Sequence, residues 1–160
     1  MSDTSDHITP RREDVATWHR HFGVALFNQT WDLLDTADRT TDQDAEMVAA
    51  ALGSRHHWRQ IGQPKNFAIS DWQVSRVFAV MGAAELSRSF ADQSLALCND
   101  NDLGPFLAGY AHEALARAAM VGGDEAAAEQ HLRAARELAG DVKTDDDRVL
   151  LEADLDELEA

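Results

Sequence analysis

The chain has 160 residues, 44% of them hydrophobic, and its 14 Lys and Arg against 29 Asp and Glu give a formal net charge of −15. A chain of this length can bury a core without disulfides, so we expect one helical domain over residues 10–160 after a flexible tail over residues 1–9. The negative field repels phosphate groups and anionic lipid, which argues against nucleic acid and membranes as partners.

The first two predicted helices occupy residues 10–38 and 42–60. Thr9-Pro10 resembles a cap followed by a first-turn proline, and Gly23 is expected to interrupt the first helix. Thr41 and Asp44 have the spacing of a capping box at the start of the second helix, which Gly62-Gln63-Pro64 ends. Alternating polar and apolar runs are absent, while Ala, Leu, Glu, Gln and Arg are frequent, so the sequence favours helix over strand.

Glycines and short polar turns separate five further helices. These are predicted over residues 66–81, 85–98, 103–121, 124–139 and 144–158. Gly82 provides a left-handed stop after the third helix, and Gly122-Gly123 ends the fifth. Asp124 caps the sixth helix, which Gly140 ends. The sequence therefore predicts an all-α fold of about seven antiparallel helices.

Helical spacing predicts a packing face on the fifth helix, formed by Leu107, Ala111, Ala114, Leu115 and Ala118, and one on the third, formed by Val74, Val77, Val80 and Met81. The fifth and sixth helices carry small and large apolar residues that interlock across a Gly-Gly-Asp turn. Within residues 111–138, six positions fall at the spacing of a tetratricopeptide repeat: Leu115, Ala116, Gly123, Ala128, Leu132 and Ala135. The unit around Trp72 matches weakly and the first helix pair matches in layout alone, so the chain resembles a degenerate tetratricopeptide-repeat-like protein. The resemblance implies a right-handed stack of helical hairpins with a concave binding groove, lined by first helices, and a C-terminal capping helix.

A shift of 41 residues superposes the first helices of the three pairs and indicates which side chains share that groove. The predicted ligand-binding residues are Asn28, Trp31, Asp35, Trp72, Arg76, Tyr110, Glu113 and Arg117. Aromatic and arginine side chains are frequent anchors at interfaces, so we expect a protein- or peptide-binding module or scaffold. Arg76 and Arg117 concentrate positive charge on an acidic chain, which favours a partner that bears a carboxylate.

A structural interpretation of the same residues places Trp31 and Trp72 in the core and makes Glu113 and Arg117 a surface ion pair. If the residues serve recognition instead, Arg76 and Arg117 are expected to be exposed. Replacing both arginines with alanine would then leave the melting temperature almost unchanged, because exposed ion pairs contribute little to folding.

The histidines support an alternative function, that of a small helical metalloenzyme or metal-binding protein. His56 and His57 are adjacent on one helix and cannot easily share an ion. A metal site would therefore combine His57 with His19, His21 or His112 from other helices. The sequence contains no His-Glu-x-x-His, Cys-x-x-Cys or phosphate-loop motif. We therefore predict no cofactor, and enzymatic activity is the less favoured interpretation.

Weaker features of the sequence bear on the cellular compartment and on self-association. Cys98 is the single cysteine, which fits a reducing compartment, and no apolar run is long enough to cross a bilayer. We therefore expect a cytoplasmic protein. The last helix carries four leucines at helical spacing, at positions 150, 151, 155 and 158. This helix either caps the array or joins a second copy into a homodimer.

Overall fold

The computed structural model describes residues 11–159, which form seven α-helices and contain no β-strand. The helices are α1 (Arg12–Leu34), α2 (Thr41–Ile61), α3 (Pro64–Val80), α4 (Ala84–Asp100), α5 (Pro105–Gly122), α6 (Glu125–Asp141) and α7 (Asp145–Glu159). The predicted all-α fold is confirmed. The predicted tail over residues 1–9 and the cap at Thr9-Pro10 lie outside the described residues. Within residues 11–159, no helix is both long and apolar enough to span a membrane.

The starts of the first two helices differ from the prediction in detail. The capping box of α2 uses Thr40 and Gln43, one residue earlier than predicted, because glutamine can reach back to the capping backbone N–H. Helix α1 continues through Gly23 without interruption. A Cβ at this glycine would lie 3.0 Å from the indole of Trp58. Gly23 therefore permits close packing of α2 on α1 and is not a helix break.

The predicted stops at two glycines are confirmed, and a third is wrong. Gly82 and Gly123 have φ angles of 71° and 75°, in the left-handed region that follows a helix end. The side chain of Asp124 accepts a hydrogen bond from the backbone N–H of Ala127 at 3.0 Å, as expected of a cap. Gly140, however, lies inside α6, which extends to Asp141 because the helical backbone tolerates one glycine near its end.

Consecutive helices pack as hairpins, α1 with α2, α3 with α4 and α5 with α6. The hairpins join through contacts of α2 with α3 and of α4 with α5, and α3 also packs directly on α5. The predicted packing face of α5 is buried, with Ala111, Ala114 and Ala118 at most 2% exposed. Small side chains at this face let neighbouring helices approach closely. Val80 and Met81, predicted on the packing face of α3, are exposed because α3 ends there.

Helix α7 covers the end of the stack. Its Leu151 and Leu155 are fully buried among residues of α5 and α6. Gly109 of α5 makes room for this contact, because a Cβ there would lie 2.6 Å from the Leu151 Cδ2 atom. Leu151 and Leu155 are thus used within the chain, as expected of a capping helix, whereas Leu150 remains exposed.

Candidate binding site

An unbroken row of aromatic rings crosses the first helices of the three hairpins. The row consists of Phe27, Trp31, Trp72, Tyr110 and Phe106, whose successive ring centroids are 6.3, 5.6, 5.1 and 5.1 Å apart. We call these five residues the aromatic row. Edge and tilted contacts at such distances are favourable for aromatic side chains. The 41-residue spacing places Trp31 of α1 directly against Trp72 of α3, so two predicted site residues meet as the superposition requires.

Glu113 lies beneath the aromatic row and is fully buried. One of its carboxylate oxygens accepts two hydrogen bonds from Arg117, at 2.8 and 2.6 Å, and lies 3.6 Å from the guanidinium of Arg76. The other oxygen accepts a hydrogen bond from the indole N–H of Trp72 at 3.2 Å. Because a buried carboxylate is costly unless paired, two hydrogen-bond donors, Arg117 and Trp72, and the nearby charge of Arg76 are what allow Glu113 to occupy this position.

Arg76 and Arg117 differ from the expectation of exposed cations, since only 17% of each side chain is accessible. Their burial follows from Glu113, which draws both guanidinium groups inward. Arg76 also lies over the ring of Trp31, 5.4 Å from its centroid. Among the described residues Arg76 forms no hydrogen bond, so its N–H groups remain able to bind a ligand.

The two remaining predicted residues stand apart from this cluster. Asn28 and Asp35 are exposed and form no side-chain hydrogen bond or ion pair with the described residues. Asp35 is the C-terminal cap of α1, where the chain leaves the helix. Of the eight residues predicted to line the groove, the structure thus brings six into one connected cluster: Trp31, Trp72, Arg76, Tyr110, Glu113 and Arg117.

An apolar cavity of about 200 Å³ opens beside the aromatic row. We call it the α5 cavity; it is lined by Ala68, Ile69, Trp72, Ser94, Phe106, Leu107, Tyr110 and Leu150. Its two hydroxyl groups have partners within the chain, since Ser94 donates to the Ala68 carbonyl at 2.9 Å and Tyr110 donates to Asp154 at 2.7 Å. The cavity therefore offers apolar surface and favours an apolar ligand group.

A second cavity, of about 190 Å³, lies between α1 and α3. Its lining includes Val24 and Phe27 of α1 with Ile69 of α3, so Ile69 separates it from the α5 cavity. The predicted site residues did not include Ile69, Phe106, Leu107 or the exposed Leu150. The signal for Ile69 was present, since the 41-residue shift superposes it on Tyr110, whereas Leu150 reaches the site only through the docking of α7.

Tyr110 connects the row to α7. Burial and the hydrogen bond to Asp154 raise the pKa of its hydroxyl far above the ordinary value, so it remains a neutral donor. Its ring contacts both Trp72 and Phe106. The position of this ring is consequently fixed from two sides, which keeps the wall of the α5 cavity in place.

Histidines form two close pairs, each between the helices of one hairpin. The Nδ1 atoms of His19 and His57 are 2.8 Å apart, and those of His112 and His131 are 3.0 Å apart. His112 therefore pairs with His131, which the sequence analysis did not select as a ligand. His21 lies outside both pairs and contacts the rings of Trp18 and Phe22. Within residues 11–159 no group of three or more His, Cys, Asp or Glu side chains is arranged to hold a metal ion.

Burial lowers the pKa of three of these imidazoles. For His57 the neighbouring His19 and His56 lower it further, and for His112 the neighbouring His131 does so. His131 is also affected by Asp92, which raises its pKa, and by Arg88, which lowers it. The surroundings therefore favour the neutral form of His57, His112 and His131, and a neutral ring supplies the lone pair that accepts the hydrogen bond.

A second buried carboxylate lies away from the aromatic row. Asp71 of α3 is fully buried and forms ion pairs with Arg55 and Arg59 of α2, the latter at 2.5 Å. The two guanidinium groups also lie over aromatic rings, Arg55 over Phe90 at 5.2 Å and Arg59 over Phe67 at 4.7 Å. This arrangement joins consecutive hairpins and occupies both carboxylate oxygens.

Comparison of the chain with protein-family models, with curated proteins and with solved structures finds no match in any of the three. The class of protein is therefore defined by the fold alone. Over residues 11–159 the chain is an all-α protein whose adjacent helices pack as hairpins, an arrangement compatible with a helical repeat.

Proposed function

We propose that this protein is a peptide-binding module of the degenerate tetratricopeptide-repeat-like type, and that its ligand lies across the aromatic row. The observation that carries the proposal is the α5 cavity, an apolar opening beside five connected aromatic rings on successive first helices. Rigid aromatic surface next to an apolar pocket is a frequent anchor point at protein interfaces.

The ligand we propose carries an apolar side chain for the α5 cavity and a carboxylate for Arg76. The apolar preference follows from the cavity lining, whose hydroxyl groups are already bonded within the chain. The carboxylate preference follows from Arg76, which lies beside the row and has unused N–H donors. Arg76 and Arg117 exceed the charge of Glu113 on one side of the row, whereas Asp154, bonded to Tyr110, places a negative charge on the side of α7, so the carboxylate of the ligand is expected on the Arg76 side.

A substitution at the mouth of the cavity tests the proposal. Leu150 lines the α5 cavity and is 54% exposed, so Leu150→Trp should obstruct the opening without disturbing the core. We expect wild-type protein to select peptides from a displayed random library, and Leu150→Trp to weaken the selected peptides at least about tenfold, since an anchor side chain contributes about 1.4 kcal/mol or more.

Val149→Trp is the matched control, because Val149 is the adjacent residue on α7, is 60% exposed and does not line the cavity. This variant should bind the selected peptides as wild type does. Equal binding by wild type and Leu150→Trp would contradict the proposal, as would a library selection that yields no specific peptide.

We further propose that the protein is cytoplasmic, because its single cysteine, Cys98, is buried as a free thiol.

We also propose that two copies of the chain can form a homodimer. Leu151 and Leu155 are occupied within the chain, so a contact between two copies through α7 would use Val149 and Leu150 instead. Such a dimer would compete with peptide at the α5 cavity.

A further inference from the structure

The hairpin of α1 and α2 carries a group of imidazoles at one end. His19 and His57 face each other across the helix pair with their Nδ1 atoms 2.8 Å apart, and both side chains are partly exposed. The ring centroid of His56 lies 6.4 Å from that of His19. These residues are about 18 Å along α1 from Trp31, at 1.5 Å per residue, so they are separate from the proposed peptide site.

The distance between the two nitrogens is close to what one metal ion requires. Two imidazole ligands at about 2.0–2.1 Å from a tetrahedral ion lie roughly 3.4 Å apart. The present separation of 2.8 Å is that of a hydrogen bond. Because the two rings sit on different helices, small rotations of their side chains suffice to widen it. The ring that donates through Nδ1 would also move its proton to Nε2, so that the Nδ1 lone pairs of both rings point at a shared ion.

The kind of ion follows from the ligands rather than from the charge of the chain. A chain with a net charge of −15 attracts cations generally, although this field does not select among them. Selection comes from the ligands, because imidazole nitrogen suits zinc, nickel and copper, whereas magnesium and calcium prefer oxygen. The ring of Phe22, 5.4 Å from that of His57, borders the pair.

We propose that His19 and His57 bind one divalent late transition-metal ion that joins α1 to α2, with water in the remaining coordination positions. The order of affinity among the ions should be copper above zinc, with calcium unbound. The role of the bound ion is to hold α1 and α2 together. It is independent of peptide binding, so failure of either proposal leaves the other standing.

Calorimetric titration of tag-free protein with Zn²⁺ and Cu²⁺ tests the site, with Ca²⁺ as the control ion. We expect an ion whose binding depends on His19 and His57, and not on the similarly spaced pair of His112 and His131. The melting temperature should be higher in its presence, since an ion that binds only the folded state stabilises it. His19→Gln should lower the affinity at least about tenfold because glutamine is a poor zinc ligand, although it still hydrogen bonds to His57. His57→Ala should have the same effect.

His21→Ala and His131→Ala are the control variants, since they leave the His19 and His57 pair intact. Both variants should bind the ion as wild type does in the same titration. The proposal is overturned if wild type binds neither ion, if His19→Gln and His57→Ala bind as wild type does, or if His131→Ala alone abolishes binding. Circular dichroism of each variant ensures that the comparison is made between folded proteins.

Discussion

The two buried carboxylates have similar partners, but they differ in the helices that supply those partners and in what lies beside them. Asp71 and Glu113 are both fully buried, and each is held by two arginines. At Asp71 each oxygen pairs with one arginine, and both arginines come from the neighbouring helix α2. At Glu113 the arginines come from α3 and α5, and Arg76 is held at 3.6 Å without a hydrogen bond.

This difference between the partners of Asp71 and Glu113 distinguishes a structural contact from a candidate binding site. The Asp71 cluster joins two hairpins; the Nε atom of its Arg59 is buried without a hydrogen-bond partner among the described residues, but this guanidinium lies over Phe67 and not over the aromatic row. The Glu113 cluster lies under the aromatic row and retains an arginine with unused donors. A buried ion pair by itself is therefore a poor indicator of function; the useful signal is an incompletely bonded partner beside an apolar cavity.

Removing both arginines of the Glu113 cluster should have the largest effect. In Arg76→Ala/Arg117→Ala the buried carboxylate loses both countercharges, and we expect a loss of about 3–5 kcal/mol in the free energy of unfolding. Urea denaturation measures this loss. The result would reverse the expectation from sequence that the two arginines are dispensable for stability.

Adding Glu113→Gln to that double variant provides the control. The triple variant has no buried charge at this position, so it should recover a substantial part of the lost stability. If the double variant melts as wild type does, or if the third substitution brings no recovery, the cluster does not depend on charge pairing as we describe.

Single arginine substitutions sharpen the comparison between the two clusters. Arg117→Ala removes two hydrogen bonds to a carboxylate and Arg55→Ala one, so each should cost about 1.5–3 kcal/mol. Arg76→Ala should cost less than either, about 1 kcal/mol, because it breaks only a longer ion pair and a contact with Trp31.

Arg88→Ala serves as the reference for these substitutions, since its pair with Asp92 is exposed and 3.8 Å long, and it should change the stability by at most about 0.5 kcal/mol. A loss for Arg76→Ala as large as that for Arg117→Ala would show that Arg76 is a structural residue and would remove the distinction between the clusters.

The smallest effect we predict is a dependence of stability on pH between about 7.5 and 5.5. Burial lowers the pKa of His112 and His131 in the folded state below the ordinary value of 6.5. The unfolded chain therefore takes up protons first as the pH falls, and stability is full above pH 6.5 and decreases below it. Melting temperatures measured across this range should decrease as the pH is lowered.

The variant His112→Gln/His131→Gln should show a shallower dependence over the same range, because two of the affected groups are gone. Ordinary carboxyl groups titrate near pH 4, so the measurement reports on the histidines rather than on the carboxylate clusters. A melting temperature that is constant from pH 7.5 to 5.5 in wild type would contradict the prediction.

Local chemistry could be read from the sequence with some accuracy. Gly82, Gly123 and Asp124 were predicted as helix-ending and helix-starting residues, because a left-handed φ or a capping oxygen depends on the residue and its immediate neighbours. The 41-residue shift likewise brought Trp31, Trp72 and Glu113 into one group, since repeated spacing places equivalent side chains on the same side of a stack.

What the sequence by itself determined is the all-α class, most helix boundaries to within a few residues, and the face of α5 that packs. Only the tertiary structure decided that Arg76 and Arg117 are drawn inward by Glu113, that His112 pairs with His131, and that α7 completes the α5 cavity. The physical reason is that helix period and capping are local properties of the chain. Burial, pairing and cavities depend on the distance between helices, which no single helix encodes.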